Sequence, residues 1–284
     1  MIGVELRKMF RRPRTWATIA VLNALPIVVA VLLVLTDLAP RPGEGPPFLS
    51  AVLSNGTLYP LAALALVLPL FLPIAVAVVA GDSVAGEAQA GTLRYLLARP
   101  AGRTRLLVAK LVAVLTFVLV TVVIVAVVGY VVGTTLFHAQ PLGSTTIGGG
   151  GFGGAGVGGT SVSGTALTPQ DITERTLMAV GYVAVSMLGV AAFGLFFSTL
   201  TDSPLGATLG ALAVLVTSSL LFTLDAASPI APYLPTRYWL SFVDFFRDPI
   251  LWRNISRGLA LQGVYVVVLL TAAWANFTTK DITS

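Results

Sequence analysis

"LVAVLTFVLVTVVIVAVVGYVV", residues 111–132, contains no charged side chain. It is long enough to cross a hydrocarbon core of ~30 Å as a helix. Five further apolar runs of comparable length occupy residues 15–36, 60–80, 176–200, 205–224 and 259–278. Only 10% of the 284 residues are charged and the mean hydropathy is +0.91. A soluble domain of this length needs roughly a quarter of its residues charged. The sequence therefore predicts an all-α integral membrane protein, one transmembrane domain of six helices spanning residues 1–284. The first run is too long for a signal-peptide core and is kept as a span. Cysteine is absent, which excludes a disulfide framework, a zinc–thiolate site and a thiol nucleophile.

Six spans put both termini on one side. With that side cytoplasmic, eleven Lys and Arg residues lie inside and six outside, as the positive-inside rule demands. The expected location is the bacterial plasma membrane, with both termini in the cytoplasm. Ahead of the first span, Ile2, Leu6, Met9, Phe10 and Pro13 fall on one helical arc, and Glu5, Arg7, Lys8, Arg11, Arg12 and Arg14 occupy the rest. Residues 1–14 thus predict an amphipathic helix in the inner interface, its bases toward anionic head groups.

The connections outside differ in kind. Residues 37–59 are rich in Pro and Gly, and residues 133–175 contain "GGGGFGGAGVGG", nine glycines in twelve residues. That run matches G-x-G-x-x-G at Gly149, Gly151 and Gly154, but no strand precedes it and no helix opens from it, so it reads as a low-complexity loop. Residues 225–257 are aromatic and mixed in charge, and predict short helices at the outer leaflet anchored by Tyr233, Tyr238, Trp239 and Trp252.

The span cores carry no Asp, Glu, Lys, Arg or His. Ion-coupled carriers need such groups, and intramembrane hydrolases need a nucleophile with a base, or a metal constellation. The single histidine, His138, lies alone in a loop, and no P-loop motif occurs. No catalytic, cofactor-binding or metal-ligating residues are assigned. An enzyme is not expected, and any energy must come from another chain. The weakly polar residues within spans, among them Asn23, Thr121, Ser186, Ser218, Gln262 and Asn276, read as helix-packing hydrogen bonds. Pro69 and Pro73 predict a kink in span two. Gly206 and Gly210 form G-x-x-x-G, which serves a dimer contact or packing within the chain equally well. Thr217 is a candidate for the same contact or for a substrate pathway.

Between spans two and three, residues 81–110 concentrate two acids and five bases. Asp82 to Leu97 is helix-friendly, with Glu87, Gly91 and Arg94 on one face and Leu93, Leu96 and Leu97 beside them. Pro100 turns the chain, and Thr104 caps the helix that leads into span three. Topogenic charge accounts for the bases alone. A protein-docking element over residues 82–105 accounts for bases, acids and leucines together.

This pattern (Asp82, Glu87, Gly91, Thr92, Leu93, Leu96, Leu97, Pro100, Arg103, Lys110) resembles the segment between the second and third spans of ABC-2 type permeases. The six spans, the N-terminal helix, the long last outer loop and the ending "NFTTKDI" are similar to that family as well. The resemblance implies a coupling helix docked on a cytoplasmic ATP-binding subunit, present in two copies, with ATP and magnesium held there and no cofactor on this chain. It implies pairing with a second permease, alike or related, and export of a hydrophobic or amphipathic substrate such as a drug, lipid or peptide. Nucleic acid is not an expected partner. Glu87, Arg94 and Arg103 are the residues expected to dock and couple. The rival reading is an ATP-independent membrane scaffold or sensor that recruits a partner through residues 82–105.

Overall fold

A computed structural model describes residues 1–36, 56–92, 102–137, 161, 163, 165 and 167–279. The described chain contains no strand. Its helices are α1 (Ile2–Arg11), α2 (Pro13–Thr36), α3 (Tyr59–Val67), α4 (Phe71–Gln89), α5 (Arg103–Leu136), α6 (Pro169–Leu200), α7 (Pro204–Phe222) and α8 (Trp252–Thr279). Six of them, α2 and α4 to α8, are long and apolar enough to cross a membrane. The glycine-rich run, His138 and the residues from Lys280 onward lie outside the described residues.

Several boundaries move from those expected, each for a local reason. Span two is broken rather than kinked. Pro69 has no N–H to extend α3, and Pro73 is tolerated only because it falls in the first turn of α4. The same helix then runs past Ala80, so Asp82 and Glu87 belong to α4 and not to a separate cytoplasmic helix. Span three begins well before Leu111, at Arg103. Gly102 caps it, and the Thr104 hydroxyl instead accepts from the Trp274 indole at 3.0 Å. Span four starts at Pro169, seven residues before the expected start, because Thr168 and Asp171 form a capping box.

Burial ranks the helices. In its apolar window α6 is 67% buried, whereas α8 is 17% buried. The first is the axis of the bundle and the second leaves most of its surface uncovered by this chain. Residues 225–250 are not surface anchors alone. They wind through short 3-10 turns and bury Trp239, Phe242, Phe245 and Phe246 in the core. Trp239, expected at the interface, is a core residue, while Tyr233 and Trp252 remain exposed. The excursion is held by weakly polar groups within the spans. Gln262 donates to the Pro235 carbonyl at 2.7 Å, and Ser218 pairs with Thr236 at 2.7 Å.

A close helix crossing joins α4, α6 and α7. At Gly194 of α6 a Cβ would meet the Ala80 methyl at 2.6 Å. At Gly81 of α4 it would meet the Thr208 Oγ1 at 2.6 Å, its backbone nitrogen at 3.0 Å and its Cα at 3.3 Å. Ser198 reaches into the same place. Its hydroxyl donates to the Gly81 carbonyl at 2.6 Å and accepts from the Val84 and Ala85 N–H groups at 3.0 and 2.9 Å. A side chain inserted into a helix ladder marks where that helix can bend.

In an open helix interior Gly→Ala stabilises by about 0.5–1 kcal/mol. Here the Thr208 hydroxyl is held by its bond to the Pro204 carbonyl and the Thr208 backbone lies directly behind it, so Gly81→Ala should destabilise by about 1–3 kcal/mol. Thermal unfolding in detergent should show a lowered midpoint for Gly81→Ala. Gly263→Ala, which meets nothing within 4 Å, should show none.

Candidate coupling site at the α1 end

One end of the bundle gathers the charge that the sequence concentrates. Residue Arg12 is extended (φ −76°, ψ 122°), which lets α1 turn away from α2. The Thr15 hydroxyl donates to the Met9 carbonyl at 2.8 Å and the Trp16 indole to the Phe10 carbonyl at 2.8 Å, fixing that turn. Met9 is buried, and Leu6 and Phe10 pack on the core beside it. The apolar arc of α1 therefore faces the bundle in part, while Ile2 remains exposed.

The bases of residues 1–14, on α1, at its cap and in the first turn of α2, divide into two sets. Lys8 pairs with Glu87, and both Arg12 (2.7 Å) and Arg14 pair with Asp82. These three were expected to face lipid head groups, yet they bind the acids of α4. Arg7 and Arg11 are exposed and form no ion pair with any described residue.

Beneath this layer lies Lys110, 2% exposed. Its ammonium is 2.6 Å from Glu87 Oε2, donates to the Ser83 carbonyl at 2.6 Å and lies 3.7 Å from Glu5. The contact with Oε2 is an ion pair whose alignment falls short of a hydrogen bond. Three helices thus share one charge network, α1 through Glu5 and Lys8, α4 through Glu87 and α5 through Lys110, and Asp82 with Arg12 and Arg14 forms a second cluster beside it. Glu87 is 4% exposed, so it is spent within the chain and does not present a docking surface.

Gly91 and Thr92 also have a different role from the expected one. Gly91 is left-handed, with φ +67°. The Thr92 N–H bonds the Glu87 carbonyl at 3.0 Å and the Gly91 N–H bonds the Ala88 carbonyl at 3.0 Å. That double closure is a Schellman cap. It ends α4 at Gln89, so a continuous helix from Asp82 to Leu97 with Glu87, Gly91 and Arg94 on one face does not form. Leu93, Arg94, Leu96, Leu97 and Pro100 lie outside the described residues. Arg103 donates to the Thr278 carbonyl at 2.8 Å and so binds α5 to the end of α8. Asn276 of α8 donates to the Thr199 carbonyl at 2.8 Å. Val84, Leu106, Leu107, Leu195 and Phe277 form a small apolar cluster beside these bonds. Four helix ends, from α4, α5, α6 and α8, are consequently fastened together at the α1 end.

The G-x-x-x-G pair separates. Gly210 packs within the chain, where a Cβ would meet the Phe197 ring at 3.0 Å, and Gly206 lies over its own Ser203 cap. Thr217 is exposed on α7. Among the described residues no three His, Cys, Asp or Glu side chains assemble to hold a metal ion.

A family model described as "Protein of unknown function (DUF2705)" matches residues 27–283. The chain belongs to that family. The match takes in Asp82, Glu87 and Lys110 and every spanning helix from within α2 onward. No curated protein matches the chain.

Breaking a buried ion pair by removing one partner costs about 3–5 kcal/mol, whereas an apolar replacement of both is often neutral. In this DUF2705 chain, Glu87→Gln and Lys110→Met should each lower the thermal midpoint sharply. The double variant should recover much of that loss. A double variant no better than the sum of the singles would show that the two side chains act separately.

Proposed function

We propose that this DUF2705 chain is the permease subunit of an ATP-driven, ABC-2 type exporter, with the α1 end in the cytoplasm. The observation that carries this reading is the fastening of α4, α5, α6, α8 and α1 around the two ends of residues 90–102. A force applied to that connection acts on two spanning helices directly. Through Ser198 and the Gly81 crossing it acts on α6 and α7 as well. A loop serving only topology has no need of such a base. The positive-inside count favours the cytoplasm for the same end.

In this reading two copies of an ATP-binding subunit dock from the cytoplasm against residues 90–102, and a second permease completes the pore. The residues that meet the ATPase are Arg94, Leu96 and Leu97, while Glu87 and Asp82 transmit through their ion pairs. Leucine burial supplies most of the docking energy, about 1.5–3 kcal/mol for each fully buried side chain. Exposed ion pairs add under ~1 kcal/mol each. The apolar, uncharged span cores suit a hydrophobic or amphipathic cargo.

The test is co-purification of the chain in nanodiscs with its candidate ATPase, followed by measurement of ATP hydrolysis. Leu96→Ser with Leu97→Ser should abolish association and partner-dependent turnover in a chain that still unfolds cooperatively in detergent. Association and turnover unaffected by the pair would exclude this segment as the transmission. Recruitment of a partner without ATP turnover would favour a scaffold.

A further inference from the structure

We propose that the pocket between α1, α2, α4 and α5 binds the phosphate head group of an anionic phospholipid from the surrounding membrane. The inference goes beyond the transport reading, since it requires only that the chain reside in a bilayer. The pocket has a volume of about 140 Å³. Four bases and three acids line it, leaving one positive charge in excess.

The excess is localised. Lys8 and Lys110 are matched by Glu87 and Glu5. At the mouth, Arg12 and Arg14 both turn to a single carboxylate oxygen, Asp82 Oδ2. Two guanidiniums thus share one acid. Each directs one nitrogen to Asp82, and each has five N–H donors in all. The side chains are 38% and 56% exposed, so the spare donors reach the opening. A phosphodiester carries the one negative charge that balances the pocket, and its paired oxygens suit guanidinium donors.

The pocket's other wall selects the source of that phosphate. Val78, Val79, Ala113 and Val114 line it, and Val78 is 39% exposed on the apolar flank of α4. A charged rim continuous with an aliphatic, lipid-facing wall fits a head group with acyl chains attached, and a free anion makes no use of the wall. Depth agrees. α1 meets α2 at Arg12, immediately before the apolar span that begins at Pro13, and the half-exposed Trp16 indole beside it is a residue type of interfacial belts.

The experiment uses the full chain, delipidated in detergent, with phosphatidylglycerol, phosphatidylcholine or inorganic phosphate added. Native mass spectrometry counts retained lipid, and thermal unfolding reports stabilisation. Phosphatidylglycerol should be retained over phosphatidylcholine by roughly fivefold or more, the effect of one favourable charge at the membrane surface. Arg14→Gln, which leaves Arg12 on Asp82, should remove most of that preference. Arg7→Gln with Arg11→Gln, outside the pocket, should leave it intact. Val78→Trp, which fills the aliphatic wall without touching a charge, should also reduce retention, and it covers the case in which Arg14→Gln fails to fold. Equal retention of the two lipids would overturn the proposal. So would equal losses from the Arg14 and the Arg7/Arg11 variants, which would indicate diffuse surface attraction. Displacement of the lipid by millimolar phosphate would assign the pocket to a free anion instead. Failure on any of these counts leaves ATPase association unaffected, so the two readings fall separately.

Discussion

The buried ammonium of Lys110 is the constraint on which the α1 end depends. A cation at 2% exposure is costly to leave unpaired. It therefore requires Glu87 on α4, and Glu87 in turn draws Lys8 of α1 onto it. Each charge is tolerated because the next one is present. By the usual balance of desolvation against attraction, such a network adds little net stability but fixes one arrangement of its members. Here the arrangement is the placement of an amphipathic helix against two spanning helices, which an apolar contact alone would leave free to slide.

From that fixed point close packing ties the neighbouring helices together. Glycine at 81 and 194 lets α4, α6 and α7 cross with backbone nearly in contact, and Ser198 spends its hydroxyl on the α4 ladder at the crossing. Interiors packed in this way shift as units, because there is no void to deform into. The break at residues 68–70 isolates α3 from α4, so the lower part of the second span can move without carrying the upper part. The inferred lipid site occupies the wedge between these elements, where a head group would stiffen α1 against them.

Much of this was legible in the sequence, and what was not has physical reasons. Six apolar runs gave the spanning helices, because length and hydropathy act locally. The capping box at Thr168 and Asp171 was readable as T-x-x-D but was passed over for the low-complexity run before it. Glu87 stands out in the sequence as an acid between two spans, and in the structure its partners are Lys8 and Lys110. Helix spacing shows which residues share a face, but not that the face is covered by a helix eighty residues earlier in the chain. Lys110 was read as the last cytoplasmic base, since a sequence does not reveal that a flanking cation will be buried. Gly91 was placed on a docking face, although Gly followed by Thr after a helical run is equally the signature of a Schellman closure. Trp239 was given to the interface by its type, and the core claimed it because the last outer connection folds inward.

The most direct test of the account is the distance between α1 and the bundle. The chain has no native cysteine, so spin labels at Arg7→Cys on α1 and Leu205→Cys on α7 report on it without background. Both positions are exposed, and neither takes part in the ion network. Electron–electron double resonance in nanodiscs should give one narrow distance distribution, which Glu87→Gln broadens as α1 is released. A distribution equally narrow with and without Glu87→Gln would mean that α1 is held by its apolar arc alone. The charge network would then not be the fastening on which this account rests.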